Sequence, residues 1–163
     1  MEIRFAKPQD VPGILALLRQ VGQLHHQGRP DIFRDKAQKY GASQVLAMLD
    51  SPQSPLFVAV EGEQVLGYGF CQIQTYFQDS VLCDGTELYI DDLCVDEKLR
   101  GCGIGTSIYK EICRYGRMRG CRAVTLNVWC CNEPAMRFYE ALGLRPRKVF
   151  MEAMLEARDA GEE

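Results

Sequence analysis

Leu93-Cys-Val-Asp-Glu-Lys-Leu-Arg-Gly-Cys-Gly-Ile-Gly-Thr106 is the stretch from which the rest of this chain can be read. It starts as an apolar strand end, passes through a short charged turn, and opens a helix on Gly101, Gly103 and Gly105. The first N–H groups of a helix have no partner within it, and the helix dipole favours negative charge there. Glycine lets an anion approach those N–H groups closely and allows backbone angles that side chains forbid. The stretch therefore predicts an anion-binding turn between a strand and a helix, suited to a diphosphate.

Outward from that turn, the flanks predict a mixed sheet. Glu87–Val95 reads as a strand leading into the turn. Before it, Leu56–Val60 and Val65–Ile73 are strand-like runs joined by a short Gly-containing turn, a hairpin signal. After it, Ile108, Ile112 and Tyr115 mark one face of a helix that Arg119-Gly120 closes. Ala123–Trp129 follows as a strand, and a helix joining two such strands makes them parallel neighbours. Asn132 is a good N-cap, Pro134 fits a first turn, and Gly143 is a C-cap for the helix between them. Val149–Leu155 reads as a closing strand.

The N-terminal part is simpler. Residues 2–6 alternate as a half-buried strand does, and Ile14, Leu17, Leu18 and Val21 give a helix its apolar face. The pattern breaks after Gly22, so Leu24–Phe33, with His25, His26, Arg29, Pro30 and Asp31, reads as a loop: a surface connection or part of a wall around a substrate. Adjacent His25 and His26 do not normally aim at one ion, and no metal site is expected. A second helix is expected around Ser43–Leu49, ended by Ser51-Pro-Gln-Ser-Pro55.

Composition narrows the class of function. The 163 residues predict one domain over 1–155 and a charged tail over 156–163. A net charge of −3 argues against a general nucleic-acid binder, although Lys110, Arg114, Arg117, Arg119 and Arg122 form a local basic face. No apolar run reaches the ~18 residues of a membrane span, and no signal-peptide pattern opens the chain, so no membrane partner and a cytoplasmic location are expected. Eight cysteines without a Cys-x-x-Cys pair fit reduced thiols better than zinc or a disulfide framework. Cys102 sits inside the turn, but its place suits a ligand's phosphates better than a nucleophile.

The glycines alone do not decide the ligand. A Rossmann fingerprint would read G-x-G-x-x-G near the start of a βαβ unit, and a Walker A loop needs Gly-Lys-Ser/Thr; neither is present. The combination is more specific. Arg100-Gly-Cys-Gly-Ile-Gly105 matches R/Q-x-x-G-x-G/A, and Asn132-x-x-Ala135 with Phe138-Tyr139 is similar to Asn-x-x-Ala-x-x-x-Tyr. With the element order, these make the chain resemble the GCN5-related N-acetyltransferase (GNAT) superfamily over nearly its whole length, with the strongest motifs in 86–143.

That resemblance implies an α/β (α+β) GNAT acyl-CoA N-acyltransferase fold, a mixed central sheet flanked by helices. It implies acetyl-CoA as co-substrate and an amine acceptor: a small cationic amine, a lysine or an N-terminal amine. The coenzyme would be held by Arg100, Gly101, Cys102, Gly103, Ile104, Gly105 and Thr106 at its pyrophosphate. Leu93, Cys94 and Val95 would pair with the pantetheine arm, and Asn127, Asn132 and Ala135 would also contact the coenzyme. Tyr139 matches the position of the general acid; an unperturbed phenol near pKa ~10 can protonate a leaving thiolate near ~8.5. Glu87, Asp91 and Asp92 are the candidate carboxylates for base or amine binder. Strict alternation puts Glu87 and Asp91 on one face and Asp92 on the other, unless a bulge intervenes. Homodimers are common among relatives, so a homodimer is expected by analogy only. The alternative function is a non-catalytic acyl-CoA-binding module on the same fold.

Overall fold

The computed structural model describes residues 1–155. Its five strands are hydrogen-bonded in chain order: β1 (Glu2–Phe5), β2 (Leu56–Glu61), β3 (Gln64–Tyr76), β4 (Gly85–Val95) and β5 (Ala123–Leu126). The first four are antiparallel, and β5 lies parallel to β4. The helices are α1 (Val11–Gly28), α2 (Ala42–Leu49), α3 (Ile104–Met118) and α4 (Glu133–Ala141).

Alternation along β2 shows how the sheet carries a core on each face. Leu56, Val58 and Val60 pack with α1 residues Ile14, Leu17 and Leu18 and with α2 Val45. Phe57 and Ala59 turn the other way, toward Ile104, Ile108 and Ile112 of α3. β2 is therefore apolar at successive positions, as a strand covered on both faces must be. The entry to α1 is fixed by charge: Arg4 of β1 donates two hydrogen bonds to Asp10, at 2.7 and 3.0 Å, and the Lys7 N–H donates a third at 2.7 Å.

Three sequence expectations need correction. First, α1 continues through Gly22 to Gly28, so His25 and His26 lie on its last turns rather than in a loop. Gly22 marks a close approach, not a break: a Cβ there would stand 1.9 Å from the Ala37 carbonyl oxygen. Second, β5 is four residues long and stops at Leu126. Third, Val149–Leu155 forms no strand. Val149, Phe150, Met151, Met154 and Leu155 are exposed, and the segment is tied by ion pairs of Arg147 with Glu87 and Glu152 with Arg29. Three consecutive apolar residues, Val149-Phe150-Met151, give no one-sided pattern, and Pro146 offers no N–H. The expected tail over 156–163 lies outside the described residues.

Candidate active site

The site starts where β4 loses its regular register. Phe70 of β3 pairs with Asp92, but the next residue, Cys71, pairs with Ile90. Asp91 is thus the extra residue of a β-bulge, which re-aims the side chains after it. Ile90 faces the α3 core, while Asp92 meets Tyr68 on the α1 side. The bulge also brings Asp91 to that side, against Tyr40 in the α1–α2 connection, so the two acids are not on opposite faces as alternation predicts.

Beyond the bulge, β4 and β5 part. Their pairing covers Glu87–Ile90 against Ala123–Leu126 and ends there. Asp92–Val95 keep β3 as neighbour but have no strand on the β5 side among the described residues. That edge is a gap into which an extended ligand can add itself as a strand would. Leu93 and Val95 are partly buried along it, while the Cys94 side chain turns into the α1 core. Burial pushes the Cys94 thiol up to about 12, which keeps it protonated and unreactive.

At the end of the gap, Gly103 caps α3 with φ of +80°, a left-handed conformation that glycine adopts without strain. The first bond closing on the helix runs from Ser107 N–H to Gly103 carbonyl, at 3.0 Å. The N–H groups of Ile104, Gly105 and Thr106 precede it and point out of the helix start. Gly101, with φ of +82°, has open space where a Cβ would be. Arg100 is exposed, its Nε donating to the Val95 carbonyl at 3.4 Å, and Cys102 is exposed beside it. Positive charge and open N–H groups thus converge, as an anionic diphosphate requires.

The four catalytic candidates have different surroundings. Glu87 is 3 % exposed, and its two oxygens are each taken by an arginine: Arg122 Nε at 3.0 Å and Arg147 at 2.7 Å. Arg147 most of all holds this carboxyl below its ordinary range, against burial, with help from Arg122. Asp91 Oδ2 accepts from Tyr40 Oη at 2.6 Å and pairs with Lys39 Nζ at 2.8 Å. Asp92 Oδ2 accepts from Tyr68 Oη at 2.8 Å. Although some of its surface stays accessible, it is hemmed in by protein, and burial raises its pKa to about 6 against the pull of Tyr68 and Lys39. Tyr139, on α4, is also raised, by burial first and then by the charge of Asp92.

The remaining coenzyme candidates flank the gap. Asn132 caps α4, its side chain accepting from Ala135 N–H at 3.3 Å, and Asn127 donates to Tyr89 Oη at 3.0 Å just past the point of parting. His25 stacks on Phe33 with ring centroids 4.9 Å apart, and Phe33 meets Trp129 edge-on at 4.9 Å. The His25–Phe33 segment is thus packed onto the chain that leads from β5 to α4. His26 Nδ1 lies 2.8 Å from the Phe33 carbonyl, which holds the turn of that segment. Lys39, Tyr40, Tyr68 and Trp129 were not singled out by sequence reasoning. Their partners lie 24 to 96 residues away, and no local pattern marks them.

With this geometry in view, the comparisons are consistent. The acetyltransferase (GNAT) family model matches residues 19–144. The chain is 30% identical over 149 residues to thialysine N-epsilon-acetyltransferase of Bos taurus, covering 86% of this chain and 82% of that protein. Its structure resembles that of a mutant of the BH1408 protein of Bacillus halodurans, with a TM-score of 0.91 and 34% identity over 96% of this chain and all of the other. It shares its fold with an aminoglycoside N-acetyltransferase, AAC(6')-Iy, solved in complex with CoA, at a TM-score of 0.72 and 13% identity over 96% of this chain and all of that one. The chain belongs to the acetyltransferase (GNAT) family. It is an enzyme of the acyltransferase class, and the donor used by that family is acetyl-CoA.

Proposed function

We propose that the chain moves the acetyl group of acetyl-CoA directly onto the amine of a small cationic acceptor, with Asp92 as base and Tyr139 as acid. The observation that carries this reading is the pair itself. A carboxyl raised to about 6 and a phenol that burial and that same carboxyl keep protonated stand at the mouth of the β4–β5 gap. An ordinary aspartate near ~3.9 is a poor acceptor for an ammonium proton, and raising it toward neutrality improves the match. Diphosphate would sit on the N–H groups of 104–106 beside Arg100, and pantetheine along Leu93–Val95, with Asn132 and Ala135 at the α4 end.

The roles then divide. The acceptor's ammonium loses a proton through Asp92 to solvent, and its lone pair attacks the thioester carbonyl carbon. As the C–S bond breaks, sulfur takes the Tyr139 proton, and the proton left on nitrogen returns to Tyr139 through solvent. Asp91 orients the amine, and Glu87, held by two arginines, braces β4 rather than touching substrate. Similarity to a thialysine N-epsilon-acetyltransferase favours an amine at the end of an aliphatic side chain as the acceptor class. Free thiols at all eight cysteines suit a reducing cytoplasm.

Thiol release across a panel of amines tests this. Tyr139→Phe should lower kcat by at least about 100-fold, the lower end of what general acid–base catalysis supplies, with acetyl-CoA affinity nearly unchanged. An unaltered kcat would remove Tyr139 from the reaction.

A further inference from the structure

One amine of this chain already stands at the acceptor side of the site. Lys39 Nζ donates to the Asp91 backbone carbonyl at 2.9 Å and lies 2.8 Å from Asp91 Oδ2. Both contacts are to the bulge residue, at the point where β4 leaves β5 and the gap for the donor opens. The charge of Lys39 reaches Asp92 as well, and also His25. Among the described residues, Lys39 is the one lysine of six that forms an ion pair; Lys7, Lys36, Lys98, Lys110 and Lys148 form none. Its neighbour Tyr40 is tied to the same carboxylate at 2.6 Å, which sets the height of the lysine over the bulge. The side chain keeps 44% of its surface accessible, so the amine is delivered to the site without being sealed into it.

A primary alkyl amine, placed against the carboxylates that would receive an acceptor, has the chemistry of an acceptor. Being tethered, it competes as an intramolecular nucleophile, for which effective concentrations far exceed those of free amines. We propose that Lys39 is an internal acceptor, acetylated in cis by the bound thioester. This rests on the acetyl-transfer reading above. Nζ gives its ammonium proton to solvent by way of Asp91, the carboxylate it pairs with at 2.8 Å, and its lone pair attacks the acetyl carbonyl carbon. The new C–N bond forms, the C–S bond breaks, and sulfur takes the proton of Tyr139. The proton left on nitrogen returns to Tyr139 through solvent. The balance is one acetyl-lysine, one free coenzyme thiol and one released proton, with acetyl-CoA as the only co-reactant.

The full chain, incubated with acetyl-CoA and no added amine, tests this by peptide mass mapping at two protein concentrations. Lys39 should gain one acetyl group with a rate constant independent of protein concentration. Tyr139→Phe should slow that gain by at least about 100-fold. Lys39→Arg, which keeps the positive charge at Asp91, should abolish acetylation at that position. An unmodified Lys39, a rate proportional to protein concentration, or equal rates in wild type and Tyr139→Phe would each overturn the inference. An external amine in a parallel reaction separates the two ideas. Thiol release with that amine and no mark on Lys39 sinks the internal acceptor alone; no thiol release in either reaction sinks the transfer reading with it.

Discussion

Tyr68 donates to Asp92, and Lys39 adds a favourable charge, yet burial and the neighbouring Asp91 outweigh both and leave the carboxyl at about 6. Asp92 is thus an ionisable group whose position costs stability. An unfolded aspartate titrates near 3.8, so between that value and about 6 the native state binds the extra proton. Stability from this residue falls as pH rises through that window, and above it the ionised group costs on the order of 2–3 kcal/mol. Asp92→Asn keeps an oxygen for the Tyr68 hydroxyl and removes the charge. It should therefore raise the melting temperature above about pH 7 and lose that advantage below about pH 4. The same variant should lower kcat/KM and remove the acid limb that Asp92 is expected to give the wild type near pH 6. A melting temperature equally shifted at both extremes would mean that Asp92 is not held at a raised pKa.

The connection that brings Lys39 and Tyr40 onto Asp91 depends on one close approach. Gly22 lets the connection between α1 and α2 lie on the helix, with the Ala37 carbonyl where a Cβ would be. Gly22→Ala gains about 1 kcal/mol of helix propensity but pushes that connection away, at about 1–3 kcal/mol for overpacking. Lys39 and Tyr40 follow within three residues, so the KM for the acceptor should rise severalfold while acetyl-CoA affinity is unchanged. A higher KM for acetyl-CoA instead would place this connection on the donor side. The same glycine shows why part of the fold is legible in the sequence and part is not. The hairpin, the glycine turn and the 104–118 helix are readable because their signals are local: alternation, capping and apolar spacing. Gly22 has two uses, break and close contact, and only Ala37, fifteen residues on, decides between them. A bulge is an expected hazard in the strand that carries Asp91, but its effect on the faces depends on β3 residues Phe70 and Cys71. Val149–Leu155 carries strand-like composition, but its run of consecutive apolar residues sets no one-sided register and it forms no strand.

Across the whole molecule, stability is unevenly spread, and the uneven part surrounds the proposed coenzyme gap. β2 and most of β3 are buried between α1–α2 and α3. β5 is only partly buried at each of its four positions, and α4 buries none of its residues fully. These two elements join the sheet through four residue pairs to β4, and then diverge from it. A ligand that fills the gap adds the contacts they lack. At a concentration about 100 times its Kd, acetyl-CoA should stabilise the protein by about 2.7 kcal/mol. Hydrogen exchange should locate the gain: slower exchange at 91–95, at the first turn of α3, and through β5 and α4, with little change in β2. Replacing Gly103 by valine, which cannot hold φ of +80° cheaply, should weaken that protection by weakening diphosphate binding. Stabilisation without protection of β5 and α4 would mean that the coenzyme binds elsewhere, and that the parting of β4 from β5 is not its site.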